Sequence, residues 1–191
     1  MTPRLLPACA TAAVGIALLA GCTPLGSGAG ASSSATPTTE PTTTVLAEAP
    51  AGTPDPCALV TAEELGEDVG IKMAAGKYNS ALSNSGRNIC EWRPANEERS
   101  EPRVQIEINW GFPSTAEHRA LAEEVFDKTL DVTRKIGDIT DAYTTPSRHT
   151  LGMSVDEYFV KISYIAPNAS RKVAGNATIE IARDVYAALS S

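Results

Sequence analysis

Acid–base chemistry near neutral pH would be sought first at the two histidines, because imidazole alone has an unperturbed pKa there. His118 stands between Glu117 and Arg119, and His149 precedes a run of alternating apolar residues. They lie on different elements with no oxyanion motif near either, so each reads as a surface histidine rather than a catalytic one. No serine sits in Gly-x-Ser-x-Gly or Ser-x-x-Lys, the contexts that expose and activate a hydroxyl. Asp138 and Asp141 could form a carboxylate pair, but calcium needs six or more oxygens, and the segment reads as a solvated turn. Gly26, Gly28 and Gly30 have the spacing of a nucleotide loop without the strand before it or the helix after it. The acidic residues fall mainly at polar positions: helix surfaces, turns and the outward face of a strand. None is forced into an apolar run where burial would raise its pKa. The residues predict no catalytic side chain, no metal site, no cofactor and no enzymatic activity.

The cysteines say more. Cys9 lies in a charge-free stretch, Ala8 to Ala20, behind an amino terminus that carries Arg4. These are the parts of a secretory signal, and the apolar stretch is shorter than the roughly 20 residues of a membrane span. It ends in Leu19-Ala20-Gly21-Cys22, which resembles the bacterial lipobox. The resemblance implies a signal peptide over 1–21, cleavage before Cys22, lipidation of that cysteine, and residence on the extracytoplasmic face of the cell membrane. An ordinary signal peptide with a chance cysteine is the alternative. From Thr23 to Pro54, 27 of 32 residues are Thr, Ser, Pro, Gly or Ala. So little apolar surface cannot offset the entropy of ordering, and 22–54 reads as a disordered tether spanning roughly 30 Å. The remainder, 55–191, has the length of one domain with one core.

Net charge narrows the partners. The whole chain carries −7, and without 1–21 it holds 15 Lys+Arg against 23 Asp+Glu. This balance argues against nucleic acid and against docking on anionic lipid through a basic face. The expected partners are the membrane, through the lipid on Cys22, and an unidentified envelope protein or ligand. Cys57 and Cys90 remain as an even pair in an exported chain, where a disulfide is the expected state. A metal or redox pair is the rival reading, although no Cys-x-x-Cys is present and only His118 and His149 could complete a site.

The elements that must position these residues follow from pattern. Thr61-Ala-Glu-Glu64 is a capping box, with Val60 and Leu65 placed to staple the helix entry. Residues 71–88 read as a loop with one short strand at most, and Asn88 to Arg93 as a strand. Arg103 to Trp110 alternates strictly, Val104, Ile106, Ile108 and Trp110 facing one way, which predicts one buried and one wet face. Trp92 and Trp110 are both assigned to the core. Ser114-Thr-Ala-Glu117 caps a second helix, whose inward stripe is expected to be Leu121, Ala122, Val125, Phe126 and Leu130. Residues 132–146 read as irregular. A hairpin turning near Asp156 and a helix from about Asn176 to Leu189 close the chain. Hairpin followed by helix occurs twice, which suggests a weak two-fold internal repeat. The fold class is α+β: an antiparallel sheet with helices packed on one face.

The sequence Asp55-Pro-Cys57-Ala-Leu-Val-Thr61-Ala-Glu-Glu-Leu65, followed by Cys90-Glu-Trp92, Ile136-Gly-Asp138, a hairpin and a terminal helix, resembles the actinobacterial lipoproteins grouped as domain of unknown function 3558. The likeness covers most of 55–191 and departs from the family at the polar stretch 77–88. It implies an actinobacterial envelope and a structural pairing of Cys57 with Cys90, and it carries over no catalytic residue. Three functions remain in order: a non-enzymatic binding or interaction module held at the membrane, an envelope hydrolase, and a carrier of lipid or another apolar ligand. Clustered buried ionisable groups would favour the hydrolase and a large apolar cavity the carrier.

Overall fold

The structure is a computed structural model that describes residues 49–96, 101–111 and 114–191. All of the described residues belong to one compact unit. The expected signal segment, Cys22 and the tether as far as residue 48 lie outside the described residues. At the end of the expected tether, Thr53 N–H donates to the Pro50 carbonyl and the Gly52 carbonyl accepts from the Tyr158 hydroxyl.

Helix α1, Ala62–Val69, begins as the sequence predicts. Thr61 accepts from Glu64 N–H, and the Glu64 carboxylate accepts from Thr61 N–H at 2.7 Å, so two orphan donors are satisfied reciprocally. That backbone bond holds the Glu64 pKa below its usual value. Val60 and Leu65 both enter the core. The strands are β1 (Lys77–Tyr78), β2 (Arg87–Trp92), β3 (Arg103–Asn109), β4 (Leu130–Asp131), β5 (Ala142–Thr144), β6 (Thr150–Val155) and β7 (Tyr158–Ile165). They form one seven-stranded sheet in the order β1-β2-β3-β7-β6-β5-β4, every neighbouring pair antiparallel. The other helices are α2 (Thr115–Phe126), α3 (Thr133–Ile136) and α4 (Arg171–Leu189). The architecture is α+β. Among the described residues, no helix is long and apolar enough to cross a membrane.

One face of the sheet carries the apolar core. Val104, Ile106 and Ile108 of β3 meet Val160 and Ile162 of β7 and Leu151 and Met153 of β6, under Ile181, Ala182 and Val185 of α4. Short α3 and β5 occupy the segment expected to be irregular, and β4 directly precedes it. Helix α4 starts five residues earlier than its apolar spacing indicated. Ser170 caps it through Val173 N–H, and Gly175 inside it leaves room for the Arg148 side chain. Cys57 and Cys90 form a disulfide across 33 residues, which on the chain-entropy account stabilises the fold by roughly 3–4 kcal/mol. Trp92 packs near it, and a Cβ on Gly76 would lie 2.6 Å from the Trp92 ring and 2.8 Å from Cys90 Sγ.

Four expectations need correction. Helices α1, α3 and α4 serve the apolar face, but α2 lies on the opposite face, against Phe159 and Tyr143. The internal repeat is not shown. A two-fold axis relating the β2–β3 and β6–β7 hairpins across the β3–β7 pair would put both following helices on one face, and α2 and α4 sit on opposite ones. Of the five residues expected inward from α2, three are exposed, Leu121 at 47%, Val125 at 73% and Phe126 at 46%, while Ala122 is half-buried and Leu130 belongs to β4. Trp110 is half-buried beyond the end of β3, its indole N–H donating to the Ser85 carbonyl, rather than part of the core. The reason common to the α2 corrections is the chemistry of the second sheet face.

Candidate functional site

Alternation places Arg87, Ile89 and Glu91 of β2, Arg103, Gln105, Glu107 and Asn109 of β3, and Phe159, Lys161 and Ser163 of β7 on that second face. It is not wet throughout, as β3 alone suggested: Glu107 is 2% exposed and Asn109 3%. Glu107 stands opposite Lys161 in register and takes its ammonium on Oε2 at 2.6 Å, with the Arg87 guanidinium 3.4 Å from Oε1. Asn109 also donates to Oε1, at 3.2 Å. A buried carboxylate requires such compensation, since unpaired it would cost several kcal/mol to desolvate.

Helix α2 covers one end of this face through polar contacts. Its N-cap Ser114 accepts from Glu117 N–H. Thr115 is buried, and its hydroxyl and backbone N–H both bond to the Ser154 hydroxyl. The His118 ring stacks on Phe159 with centroids 4.0 Å apart, and its Nδ1 shares a 2.5 Å hydrogen bond with the Tyr143 hydroxyl. Arg119 donates to Asp141 at 2.6 Å and to the Ala142 carbonyl, with its guanidinium 5.3 Å from the Tyr143 ring centre. Gly152 between Tyr143 and Lys161 makes this layer possible. A Cβ there would stand 2.8 Å from both the Phe159 and Tyr143 rings.

Electrostatics set the protonation states. Burial, then the Lys161 charge, lowers the His118 pKa, which favours a neutral imidazole. Burial pushes the Tyr143 phenol up to about 12. The pair joins α2 to the sheet, and the Tyr143 phenol keeps its proton at neutral pH. His118 is therefore not the isolated surface residue expected, while His149 is tied to β7 by donating from Nδ1 to the Tyr164 carbonyl at 2.9 Å. The structure does not assemble Asp138 with Asp141 as a site. Asp141 pairs with Arg119, and Asp138 offers its backbone carbonyl to the Tyr186 hydroxyl. Among the described residues, no group of three or more His, Cys, Asp or Glu side chains could hold a metal ion.

Sequence reasoning missed the Glu107 cluster and the true inner edge of α2. A signal for the second existed: Thr115, His118, Arg119 and Ala122 follow the i, i+3, i+4, i+7 spacing of one helical face. That face is polar because the sheet beneath it is polar. No local signal existed for the first, because Arg87, Glu107 and Lys161 meet only through the register of three strands.

Beside Glu107, where α2 does not reach, a recess of about 170 Å³ opens between Arg87, Gln105, Lys161 and Ser163, walled by Ile89 and Leu82. A wider groove of about 540 Å³ runs along the sheet edge at β1, lined by Lys77, Tyr78, Glu91 and Arg93 among several alanines. On the apolar side, Asp68 of α1 faces Asp184 of α4. Burial first, then the Asp184 and Glu180 charges, raise the Asp68 pKa to about 7.

These features define an α+β domain whose disulfide-pinned sheet has one aliphatic face and one ionised face, with a separately clamped helix on the second. The chain belongs to the family described as Protein of unknown function (DUF3558), whose model matches residues 17–155. The match starts ahead of Cys22 and stops at Val155, so β7 and α4 lie beyond it, whereas the motif resemblance ran on to the terminal helix. No curated protein and no solved structure matches the chain.

Proposed function

We propose that this chain is an exported actinobacterial lipoprotein, cut before Cys22 and anchored by lipid on that cysteine to the extracytoplasmic face of the cell membrane. Its folded domain is a non-enzymatic interaction module that presents α2 to a protein partner. The exposed side of α2 carries this reading. Leu121, Val125 and Phe126 remain in solvent on a helix whose first turns are fixed to the sheet by His118, Arg119 and Thr115. A pre-positioned apolar stripe loses little entropy on docking. Around it Glu117, Glu123, Glu124 and Asp127 are all exposed. The fitting partner is an envelope protein with an apolar groove rimmed by Lys or Arg. A second copy of this acidic helix would be repelled.

Two observations support this reading, while the buried Arg87–Glu107–Lys161 cluster is a feature of the kind that favours the hydrolase. The layer between sheet and α4 is filled by Ile106, Ile108, Leu151, Met153, Ile162 and Ile181, all fully buried, where a carrier would need space. The two histidines are engaged with Tyr143 and with the Tyr164 carbonyl. A photo-crosslinking residue at Val125 in the native envelope should give one dominant adduct, absent when the same residue replaces exposed Glu157. The purified partner should lose binding to Leu121→Glu. Equal adducts at both positions, or an adduct of the chain with itself, would defeat the reading. For the anchor, Cys22→Ser should accumulate as uncut, unlipidated precursor. Wild-type processing of that variant would remove the lipoprotein assignment.

A further inference from the structure

The chain as a whole is acidic, at −7, yet its second sheet face is not. Lys77, Arg87, Arg93, Arg103 and Lys161 share that face with Glu91 and Glu107, while Asp131 of β4, in register with Tyr143, lies on the same face at its far end. Glu91 is consumed locally: Gln105 donates to it at 2.6 Å and Arg93 pairs with it at 2.6 Å. Glu107 faces two cations and can neutralise one. The Arg87–Glu107–Lys161 group therefore keeps one uncompensated positive charge at the floor of the 170 Å³ recess.

We infer that this recess is a binding site for an oxyanion, a carboxylate or a phosphate group, held between Arg87 and Lys161. The side chains of both cations are partly exposed, at 32% and 25%, whereas Glu107 beneath them is closed off at 2%. An incoming anion thus meets the cations first, and the buried carboxylate holds them in place as a fixed counter-charge. Ser163 lines the recess with a hydroxyl, and Ile89 and Leu82 provide an apolar wall. The volume is about that of a cavity which holds one six-membered ring. A small aromatic or short-chain carboxylate fits entirely, and a phosphate fits as the head of a larger molecule. The site is separate from the exposed stripe of α2 and does not depend on the partner proposed for that helix.

The charge argument predicts opposite signs for two substitutions. In the folded domain with its disulfide intact, benzoate and inorganic phosphate should each shift the amide resonances of Gln105, Lys161 and Ser163 saturably. Arg87→Gln makes the group neutral and should weaken binding roughly tenfold. Glu107→Gln raises the group's charge and should tighten it. Near-UV circular dichroism verifies that each variant is folded, and Gln105→Leu, which keeps all three charges, provides a milder second test expected to weaken binding modestly. Vesicles separate the two sources of the anion. Arg87-dependent co-sedimentation with phosphatidic acid vesicles, absent with phosphatidylcholine, assigns a lipid headgroup. Saturable binding of the free anions without co-sedimentation assigns a soluble ligand. No saturable shift with either anion and no co-sedimentation, or Arg87→Gln and Glu107→Gln moving affinity in the same direction, overturns the proposal.

Discussion

Neighbouring residues of β3 look onto opposite worlds. Ile106 and Ile108 are fully buried among aliphatic side chains beneath α4, while Glu107 between them is nearly as buried in a cluster of charges and hydrogen bonds. Burial is equal, but the forces are not. The aliphatic face is held by area removed from water and tolerates rearrangement that conserves volume. The ionised face is held by pairing, and removing one member leaves another desolvated without compensation. The same contrast separates the two large helices. Helix α4 buries seven residues of its own, whereas α2 buries Thr115 and depends on hydrogen bonds and stacking. A helix attached that way leaves its apolar side chains available.

The sharpest way to break this comparison is at Lys161. Lys161→Met should destabilise the domain by about 3 kcal/mol, because Glu107 is then left buried with Arg87 at 3.4 Å as its remaining cation. Adding Glu107→Leu should recover most of that loss, which no pair of truncations on the aliphatic face would do. Urea titration of the two variants measures both values, and additive losses would show that the pair does not act as one unit. Of similar size is the disulfide. Cys57→Ser with Cys90→Ser should lower stability by about 3–4 kcal/mol, read from the same titration. It should do so without altering the contacts of α2, visible as an unchanged His118 imidazole resonance.

Tyr143→Phe removes the hydroxyl bonded to His118 and should cost about 0.5–1.5 kcal/mol. The His118 pKa, followed by NMR, is expected to move as well, whereas a purely packing role for Tyr143 would leave it in place. A further effect concerns pH. The folded-state pKa of Asp68 is raised to about 7 from its ordinary 3.8, so the folded domain binds that proton more tightly than the unfolded chain does. Stability should therefore be undiminished below about pH 4 and decline as pH rises towards 7. Asp68→Asn should flatten that part of the profile of Tm against pH. A wild-type Tm that rises from pH 5 to 8 and an unchanged slope in the variant would contradict the assignment.

Helix α1 with its capping box and the strands β2, β3, β6 and β7 were legible in sequence, because each rests on local chemistry or on alternation within one element, and the pairing of Cys57 with Cys90 followed from the even cysteine count and the family resemblance. The start of α4 was not. Gly175 and Asn176 read locally as a boundary, and only the Arg148 side chain lying against Gly175 shows why the helix passes through them.

What the sequence by itself determined was which residues alternate, where helices are capped and how charge is distributed along the chain. It could say that Glu107 and Ile108 point opposite ways, but not that both are buried. That was decided by the β3–β7 register, which sets Glu107 against Lys161, and by α2 crossing to the second face. Burial is a property of what covers a residue, and here the cover comes from other elements of the chain. Hydrophobicity favoured Leu121 and Val125 as the inner face of α2. The polar sheet beneath selected Thr115, His118 and Arg119 instead, because its buried hydroxyls and charges needed partners that only polar side chains supply.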